Sequence, residues 1–306
     1  MKTRSNQRAA NRGDGLARAA LVCGIGSKNC PPERATGPVR LVSAPSVDNW
    51  LAVQVLLILL CVAAGSADAI GFLGLGGLFI AHITGNLVIL AARIVADHEA
   101  PLAHMISFPV FVVALAVTRL LAAGLERMRV TSLRPLLLFE FLLLAGSLAV
   151  CVGGGSRLGL SAANATLTGM LGVSAMAVQH ALVQISLKES PATAVMTTNT
   201  TRFVIDLGEV LLGRNDGVKA AERAKRTGLT IAGFVVGCGL GAECLAVAGL
   251  RSLALPAGLV LAALAIGVAA KLDGSQAHNP ASRPRLGVTE LKLSKQPTPA
   301  LQGGLP

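Results

Sequence analysis

The chain has 306 residues, a formal net charge of +11 at pH 7 and a mean hydropathy of +0.64, with 53% apolar and only 14% charged residues. Soluble domains carry about 25% charged residues, so this composition excludes an ordinary soluble protein. Because Tyr is absent and aromatic residues make up 3%, the basic charge does not indicate nucleic-acid binding through stacking rings. The long apolar runs predict an all-α integral membrane protein, in which the basic excess sets topology.

The two ends of the chain are polar. Residues 1–46 are basic and lack the apolar core of a signal peptide, and we interpret them as a disordered cytoplasmic extension. Residues 272–306 are rich in Pro, Ser, Gln and Gly, which indicates a disordered cytoplasmic tail. Between them we expect two membrane halves, residues 47–153 and 154–271.

Apolar runs of the length that a membrane-spanning helix needs, about 20 residues, occur in both halves. In chain order they are residues 51–70, 102–121, 135–152, 160–187, 227–250 and 253–270. Two further runs, 78–96 and 192–212, follow the first and the fourth of these.

The distribution of basic residues bears on how many runs cross the membrane. If 78–96 and 192–212 both cross, there are eight spans, and the loop with Arg127 and Arg129 lies outside, against the positive-inside rule. If both runs are re-entrant, there are six spans and both termini are cytoplasmic. The basic residues then left outside are Arg93, Arg157 and Arg251. We therefore predict about six transmembrane helices plus two re-entrant or broken segments.

Residues 65–97 combine an apolar composition with many glycines and several polar side chains. Glycine lets the backbone unwind, and unwound backbone at membrane depth survives only where protein or a water-filled cavity surrounds it. The polar residues of this stretch include Asp68, His82, Thr84, Asn86 and Arg93. We interpret it as a broken or re-entrant element that lines a site.

A weak internal repeat relates the two halves. Residues 67–70 (Ala-Asp-Ala-Ile) align with 179–182 (Gln-His-Ala-Leu), and 83–86 (Ile-Thr-Gly-Asn) align with 196–199 (Met-Thr-Thr-Asn). In both copies a polar residue near the end of a span precedes a break, after which Thr and Asn open an apolar helix. With three spans in each half the repeat would be inverted, as in transporter folds whose sites lie at the repeat interface. Chance agreement between apolar sequences is the alternative.

The polar residues of both copies are the candidate site. We predict a substrate or ion pathway formed by Asp68, His82, Thr84, Asn86, His180, Thr197, Asn199, Arg202 and Asp206. Asp68 and His180 occupy equivalent places, and an acid with an imidazole can relay protons or bind a cation. The alternative is that each caps a helix or hydrogen-bonds across a packed interface. The Thr and Asn side chains can likewise cap the re-entrant helices, whose N-termini attract anions.

Two further charged features lie in the apolar runs. Arg202 and Asp206 are four residues apart on one helical face, as in an i,i+4 ion pair. This face is either the wall of a charged cavity or an ordinary interfacial surface. Glu140 lies alone inside a span, with Arg134 as a candidate structural partner and proton carriage as the alternative.

The sequence does not indicate an enzyme. It contains no His-Glu-x-x-His, no Gly-x-x-x-x-Gly-Lys-Ser/Thr and no Gly-x-Ser-x-Gly motif. Most of the cysteines lie in apolar runs, where cysteine behaves as a small apolar residue, so we expect no catalytic residue, metal or cofactor. The expected partners are the lipid bilayer and an unidentified small solute or ion, and a homo-oligomer stays open.

The same residues carry a family resemblance. Residues 68–72 and 76–86, followed by 179–182, 194–198 and 201–206, resemble the two signatures of the YoaK-type bacterial membrane proteins. That family usually has Gln-Asn-Ala where this chain has Gln-His-Ala at 179–181, so the resemblance does not imply a role for His180. It usually has Met-Thr-Gly-Thr where this chain has Met-Thr-Thr-Asn at 196–199. Over residues 50–270 the resemblance implies a multi-pass bacterial inner-membrane protein of uncharacterised function.

Together these patterns predict a small-solute transporter or channel with its site between the two repeats. The alternative is a non-transporting scaffold or partner-binding membrane protein, in which the polar residues only pack. The two differ in hydration, because a transporter requires a wet cavity in contact with residues such as Asp68, Thr84, Asn86 and Arg202.

Overall fold

The computed structural model describes residues 47–96, 102–156, 159–187, 190–213 and 217–270. The predicted terminal extension and tail, 1–46 and 272–306, lie outside the described residues. The helices are α1 (Val47–Gly74), α2 (Ile83–Val95), α3 (Leu102–Arg127), α4 (Leu133–Gly154), α5 (Ala162–Ser186), α6 (Met196–Leu211), α7 (Gly217–Ala248) and α8 (Ala254–Ala269). Two short strands, β1 (Gly155–Ser156) and β2 (Gly159–Leu160), form a hairpin between α4 and α5, and a 3-10 helix (Gly249–Leu253) joins α7 to α8.

Five helical stretches within the described residues are long and apolar enough to cross a bilayer. They are α1 from Trp50 onward, α3, α4, α5 and a stretch of 53 residues, Gly217–Ala269, that contains α7, the 3-10 helix and α8. The described residues are therefore almost entirely helical, as expected, and the five apolar stretches are consistent with a membrane protein. The number of crossings stays a prediction.

The remaining helices, α2 and α6, are short. They contain 13 and 16 residues, which corresponds to lengths of about 20 and 24 Å at 1.5 Å per residue. The hydrocarbon core of a bilayer is about 30 Å thick. Neither helix is therefore long enough to cross a membrane perpendicularly by itself.

The helices pack in a pattern that relates the two halves. The principal pairs are α1 with α7 and α8, α4 with α5 and α8, α3 with α5, α2 with α3, and α6 with α7. This set is unchanged when α1 to α4 are exchanged, in order, with α5 to α8. Each half supplies one short helix, which packs on the long helix that follows it in the chain.

Helices α1 and α7 approach each other closely. A Cβ atom at Gly65 would lie 2.2 Å from the carbonyl oxygen of Phe234, and one at Gly237 would lie 2.3 Å from that of Val62. Since real Cβ atoms do not come so close to backbone atoms, only glycine fits at these two positions. The contact holds α7 against the part of α1 that precedes Asp68.

Candidate functional site

The chain unwinds between α1 and α2. Gly76 and Gly77 have positive φ angles of 71° and 87°, a conformation that side chains with a Cβ disfavour. The chain then runs without helical structure to His82, which precedes the first residue of α2. Residues 75–82, here called the first unwound segment, cannot form the hydrogen bonds of a continuous helix. Its backbone groups therefore need other partners.

Asp68 is the hydrogen-bond partner of three of these backbone groups. Its Oδ1 atom accepts hydrogen bonds from the backbone N–H groups of Ile80 at 2.8 Å, Ala81 at 2.5 Å and His82 at 3.3 Å. Its Oδ2 atom pairs with Nδ1 of the His82 ring. Asp68 is buried. The carboxylate thus holds the first unwound segment against α1 and fixes the orientation of one imidazole.

Asn86 binds the same segment from the other side. Its side-chain amide donates to the carbonyl oxygen of Phe79 at 2.8 Å and accepts from the N–H of Phe79 at 2.8 Å. The second half contains a matching contact, since the Asn199 side chain donates to the carbonyl oxygen of Ala192 at 2.6 Å. Both contacts span seven residues.

The residues before α2 and α6 also share a backbone conformation. His82 has φ −96° and ψ 68°, and Val195 has φ −95° and ψ 68°. Neither residue makes a side-chain capping hydrogen bond. Capping by Thr84 and Thr197, the alternative that the sequence left open, is not seen, because both lie inside the first turn of their helices, after the N-cap residues His82 and Val195.

Two basic side chains bind the backbone carbonyl groups of Gly76 and Gly77. Arg93 on α2 donates from Nη2 to the carbonyl oxygen of Gly76 at 3.0 Å. Nε2 of His104 on α3 lies 3.2 Å from the carbonyl oxygen of Gly77. His104 was not among the predicted site residues, since a single histidine in an apolar run gives no sign of which carbonyl it will bind.

A groove of about 550 Å³ opens beside the first unwound segment, between α1, α2 and α7. It is lined by Asp68, Ala69, Phe72, Leu73, Phe79, His82, Thr84, Gly85, Phe234 and Cys238. The rings of Phe72 and Phe79 stack with centroids 4.9 Å apart, and Phe234 meets the His82 ring edge-on at 5.3 Å. The groove, here called the Asp68–His82 groove, is therefore mainly apolar, with one acid–imidazole pair in its wall.

The structure brings together three of the predicted site residues, Asp68, His82 and Thr84, in the lining of this groove. Asn86 is buried behind it and binds backbone. The predicted residues on α6 are not among its lining residues in the described part of the chain. They are Thr197, Asn199, Arg202 and Asp206.

His180 makes a hydrogen bond within its own helix. Its Nδ1 atom lies 2.6 Å from the carbonyl oxygen of Met176, one turn earlier in α5, and its ring meets that of Phe111 edge-on at 5.6 Å. The imidazole that pairs with Asp68 is that of His82. The two residues at equivalent places in the sequence alignment are therefore not hydrogen-bonded to each other.

The Arg202–Asp206 pair that the spacing suggests does not form among the described residues. Asp206 instead accepts from Nε of Arg223 at 2.9 Å, and Nη2 of Arg223 also contacts Glu209 at 3.1 Å. Arg223 lies on α7, which packs against α6, and reaches both carboxylates, whereas Arg202 is exposed. Sequence spacing within α6 could not reveal a partner on the next helix.

Gln179 of the second half makes a buried hydrogen bond to the first half. The side-chain nitrogen of Gln179 donates to the carbonyl oxygen of Leu60 on α1 at 3.1 Å and to Oγ1 of Thr193, before α6, at 2.9 Å. Gln179 thus ties the second break to α1. Within the described residues, no group of three His, Cys, Asp or Glu side chains is arranged to hold a metal ion.

A protein family of unknown function, DUF1275, matches residues 56–266. The chain belongs to the DUF1275 family. The match begins in α1 and ends in α8, so it includes the Asp68–His82 groove and both short helices. Neither a curated protein nor a solved structure matched the chain. The narrower YoaK-type resemblance stays a prediction.

Proposed function

We propose that this DUF1275 protein is a small-solute transporter or channel of the bacterial inner membrane, with both termini in the cytoplasm. The observation that supports this most is the Asp68–His82 groove, where an ionisable pair lies at a break between helices. Ligand pockets typically have volumes of about 300–1,000 Å³, apolar walls and a few convergent polar groups. At about 550 Å³ the groove is of suitable size for a small solute.

The proposed architecture is an inverted repeat with six crossings and two broken segments. The exchangeable packing of the two halves and the matching Asn86 and Asn199 contacts support it. The short lengths of α2 and α6 favour re-entrant segments over the eight-span alternative. In transporter folds of this kind, broken helices at the repeat interface form the substrate site.

The chemistry of the groove follows from the Asp68–His82 pair. The carboxylate engages Nδ1 of the imidazole, which leaves Nε2 as the nitrogen available to a solute. The His82 side chain is 34% exposed, whereas that of Asp68 is 5% exposed. We therefore assign direct solute contact to His82 and a positioning role to Asp68, with Phe72, Phe79 and Phe234 as the apolar walls.

We assign no enzymatic activity to this site. Cys238 lines the groove and is the closest candidate for a nucleophile. Within the described residues, however, its thiol makes no hydrogen bond to His82, whose ring pairs with Asp68 and packs on aromatic side chains. A nucleophile–base pair would require that contact.

The test is a flux assay with purified protein in liposomes, across a panel of inorganic ions and amino acids. Thr84→Trp fills the groove and should abolish flux of the transported solute. Thr197→Trp is the matched control, because Thr197 has the equivalent place in the first turn of the other short helix and is not among the residues that line the groove. Equal flux in the two variants would exclude the groove as the pathway.

A specific observation also favours the second candidate, a non-transporting scaffold. Most hydrogen bonds of Asp68 and all those of Asn86 go to backbone groups, as expected of residues that only stabilise the fold. A scaffold would show no flux for any solute of the panel while remaining folded in the same liposomes.

A further inference from the structure

Glu140 on α4 is a buried carboxyl group without a partner. Its relative exposure is 0%, and neither carboxyl oxygen has a hydrogen-bond partner in the described structure. Neither oxygen therefore hydrogen-bonds to Arg134, the structural partner that was one of the two alternatives from the sequence. By contrast, the other two buried carboxylates among the described residues, Asp68 and Asp206, are held by backbone groups or by arginine.

Glu140 lies about a third of the way along α4, seven residues after the first residue of the helix, Leu133. Oγ of Ser132, just before α4, lies 3.0 Å from Oγ of Ser186 at the end of α5, and Oγ of Ser147, seven residues before the end of α4, donates to the carbonyl oxygen of Thr168 at 2.8 Å. Glu140 is about halfway between the two serines, about 10–12 Å along the helix from each. Along the helix it lies about 10 Å from the end at Leu133 and about 21 Å from the end at Gly154, so in the proposed topology it is inside the membrane and nearer the cytoplasmic side.

The surroundings of Glu140 are apolar. The neighbouring turns of its buried face contribute Leu136, Leu137 and Leu144 to the main core cluster. Facing helices contribute Met176 and Val260 to the same cluster. An ionised carboxylate in such a place would lose its hydration and gain no compensating contact, so the neutral acid is the favoured form.

Few other titratable groups lie on the elements that pack against α4. Helix α8 has none, α5 contributes His180, whose Nδ1 is directed to a carbonyl of its own helix, and the 3-10 helix contributes Arg251, which is exposed. On α4 itself, Arg134 and Cys151 lie at opposite ends. None of them hydrogen-bonds to Glu140.

Helix α5 carries two further unpartnered acceptors. Thr168 Oγ1 and Gln179 Oε1 are buried without a hydrogen-bond partner, and they lie on either side of the level of Glu140 along the α4–α5 pair. The amide nitrogen of Gln179 binds Thr193, just before α6. Of these two residues, only Gln179 lies toward the second break of the fold.

We propose that Glu140 is a proton-binding site that couples proton movement to the conformational cycle. In the closed arrangement it holds the proton as a neutral acid. When α4, α5 and α8 part and water enters, its O–H bond breaks, the proton passes to water as hydronium and the carboxylate remains. This proposal rests on the proposed transport function and names the proton as its coupling ion. An apolar side chain would pack at this place without the cost of a buried acid.

The first experiment is infrared spectroscopy of the purified protein in lipid, which detects the C=O stretch of a protonated carboxyl group. Glu140→Gln should remove one such band, and the matched control Glu243→Gln, at an exposed glutamate on α7, should leave it. The band should shift in D2O and disappear on alkaline titration. Absence of a Glu140-dependent band, or a band that never exchanges or titrates, would overturn the proposal.

The second experiment uses the wild-type protein and does not depend on how Glu140→Gln folds. Dicyclohexylcarbodiimide reacts with protonated carboxyl groups in apolar surroundings, and mass spectrometry of the labelled protein should locate the adduct on Glu140 and not on Glu243. No adduct on Glu140 would overturn the proposal. Both readouts are independent of the solute, so a titrating Glu140 with no flux in the liposome panel would refute transport and retain the proton site.

Discussion

At the scale of single residues, the polar side chains of the first half replace the hydrogen bonds that an unbroken helix would make. Asp68 binds three consecutive N–H groups and Asn86 binds both backbone groups of Phe79. In lipid, no water is available to satisfy such groups, so each polar residue here offsets the cost of unwinding. The unwound segment and its polar residues therefore depend on one another.

This dependence predicts the effect of removing the Asp68 side chain. Asp68→Ala leaves three N–H groups without their acceptor, at about 1–3 kcal/mol for each buried unsatisfied group. We expect a lower yield of folded protein and a lower Tm, measured by thermal unfolding in detergent with size-exclusion readout. The control is Arg202→Gln, at an exposed residue of α6, which should behave as the wild type. Similar losses in both variants would contradict the assignment.

The two asparagines allow a comparison between the halves. Asn86→Leu removes two hydrogen bonds and Asn199→Leu removes one, each worth about 0.5–1.5 kcal/mol net. Both should lower Tm, and Asn86→Leu should lower it more. Thr84→Val, at an exposed position next to the same segment, serves as control. A neutral Asn199→Leu would argue against equivalent roles for the two residues.

The sequence predicted which polar residues lie at the break better than it predicted their hydrogen-bond partners. Glycines next to polar side chains in an apolar run indicated a break, and Asp68, His82 and Thr84 do gather at a groove. The pairing of Asp68 with His82 was not predicted, because alignment of the halves drew attention to His180. Two residues at equivalent places in a repeat need not be in contact. Asp68 pairs with His82 because the first unwound segment folds back against α1.

At the scale of elements, the contact between α1 and α7 depends on glycine. Gly237→Ala would place a Cβ atom 2.3 Å from the Val62 carbonyl oxygen, so the helices must separate. We expect a lower Tm and a lower folded yield, measured in detergent. Gly239→Ala, with no atom within 4 Å of its Cβ, is the matched control. It should be neutral or stabilising by up to about 1 kcal/mol, because alanine favours helix. An equal loss in both variants would refute the packing argument.

The ends of two helices differ from the ends of the apolar runs that predicted them. The apolar run at 227–250 predicts one span, whereas α7 begins ten residues earlier, at Gly217. The added turns are charged, and Arg223 within them binds Asp206 and Glu209 on α6. The helix thus extends beyond its apolar part, and the added turns form ion pairs with α6. Similarly, the 192–212 run was predicted from composition, but only its part from Met196 onward is helical.

At the scale of the whole molecule, the exchange of halves constrains the topology. If three spans in each half are related by an inverted repeat, the two halves have opposite orientations in the membrane. Both termini and the connection between α3 and α4 then face the same side. The basic residues of that connection and of the start of α7 favour the cytoplasmic side. The number of apolar runs could be counted from the sequence alone, but only the structure shows that α2 and α6 are short.

This topology predicts which positions react with a membrane-impermeant maleimide on intact cells. In a background without the six native cysteines, we expect Met128→Cys and Val218→Cys to stay unlabelled, although both side chains are exposed, at 73% and 87%. Arg251→Cys, in the 3-10 helix on the opposite side, should be labelled and shows that the reagent reaches the protein. Permeabilised cells should label all three. Labelling of both Met128→Cys and Arg251→Cys from outside would remove the six-span arrangement, because these two positions lie on the same side only if α6 crosses the membrane together with α4, α5 and α7. Labelling of Met128→Cys without Arg251→Cys would instead reverse the proposed orientation.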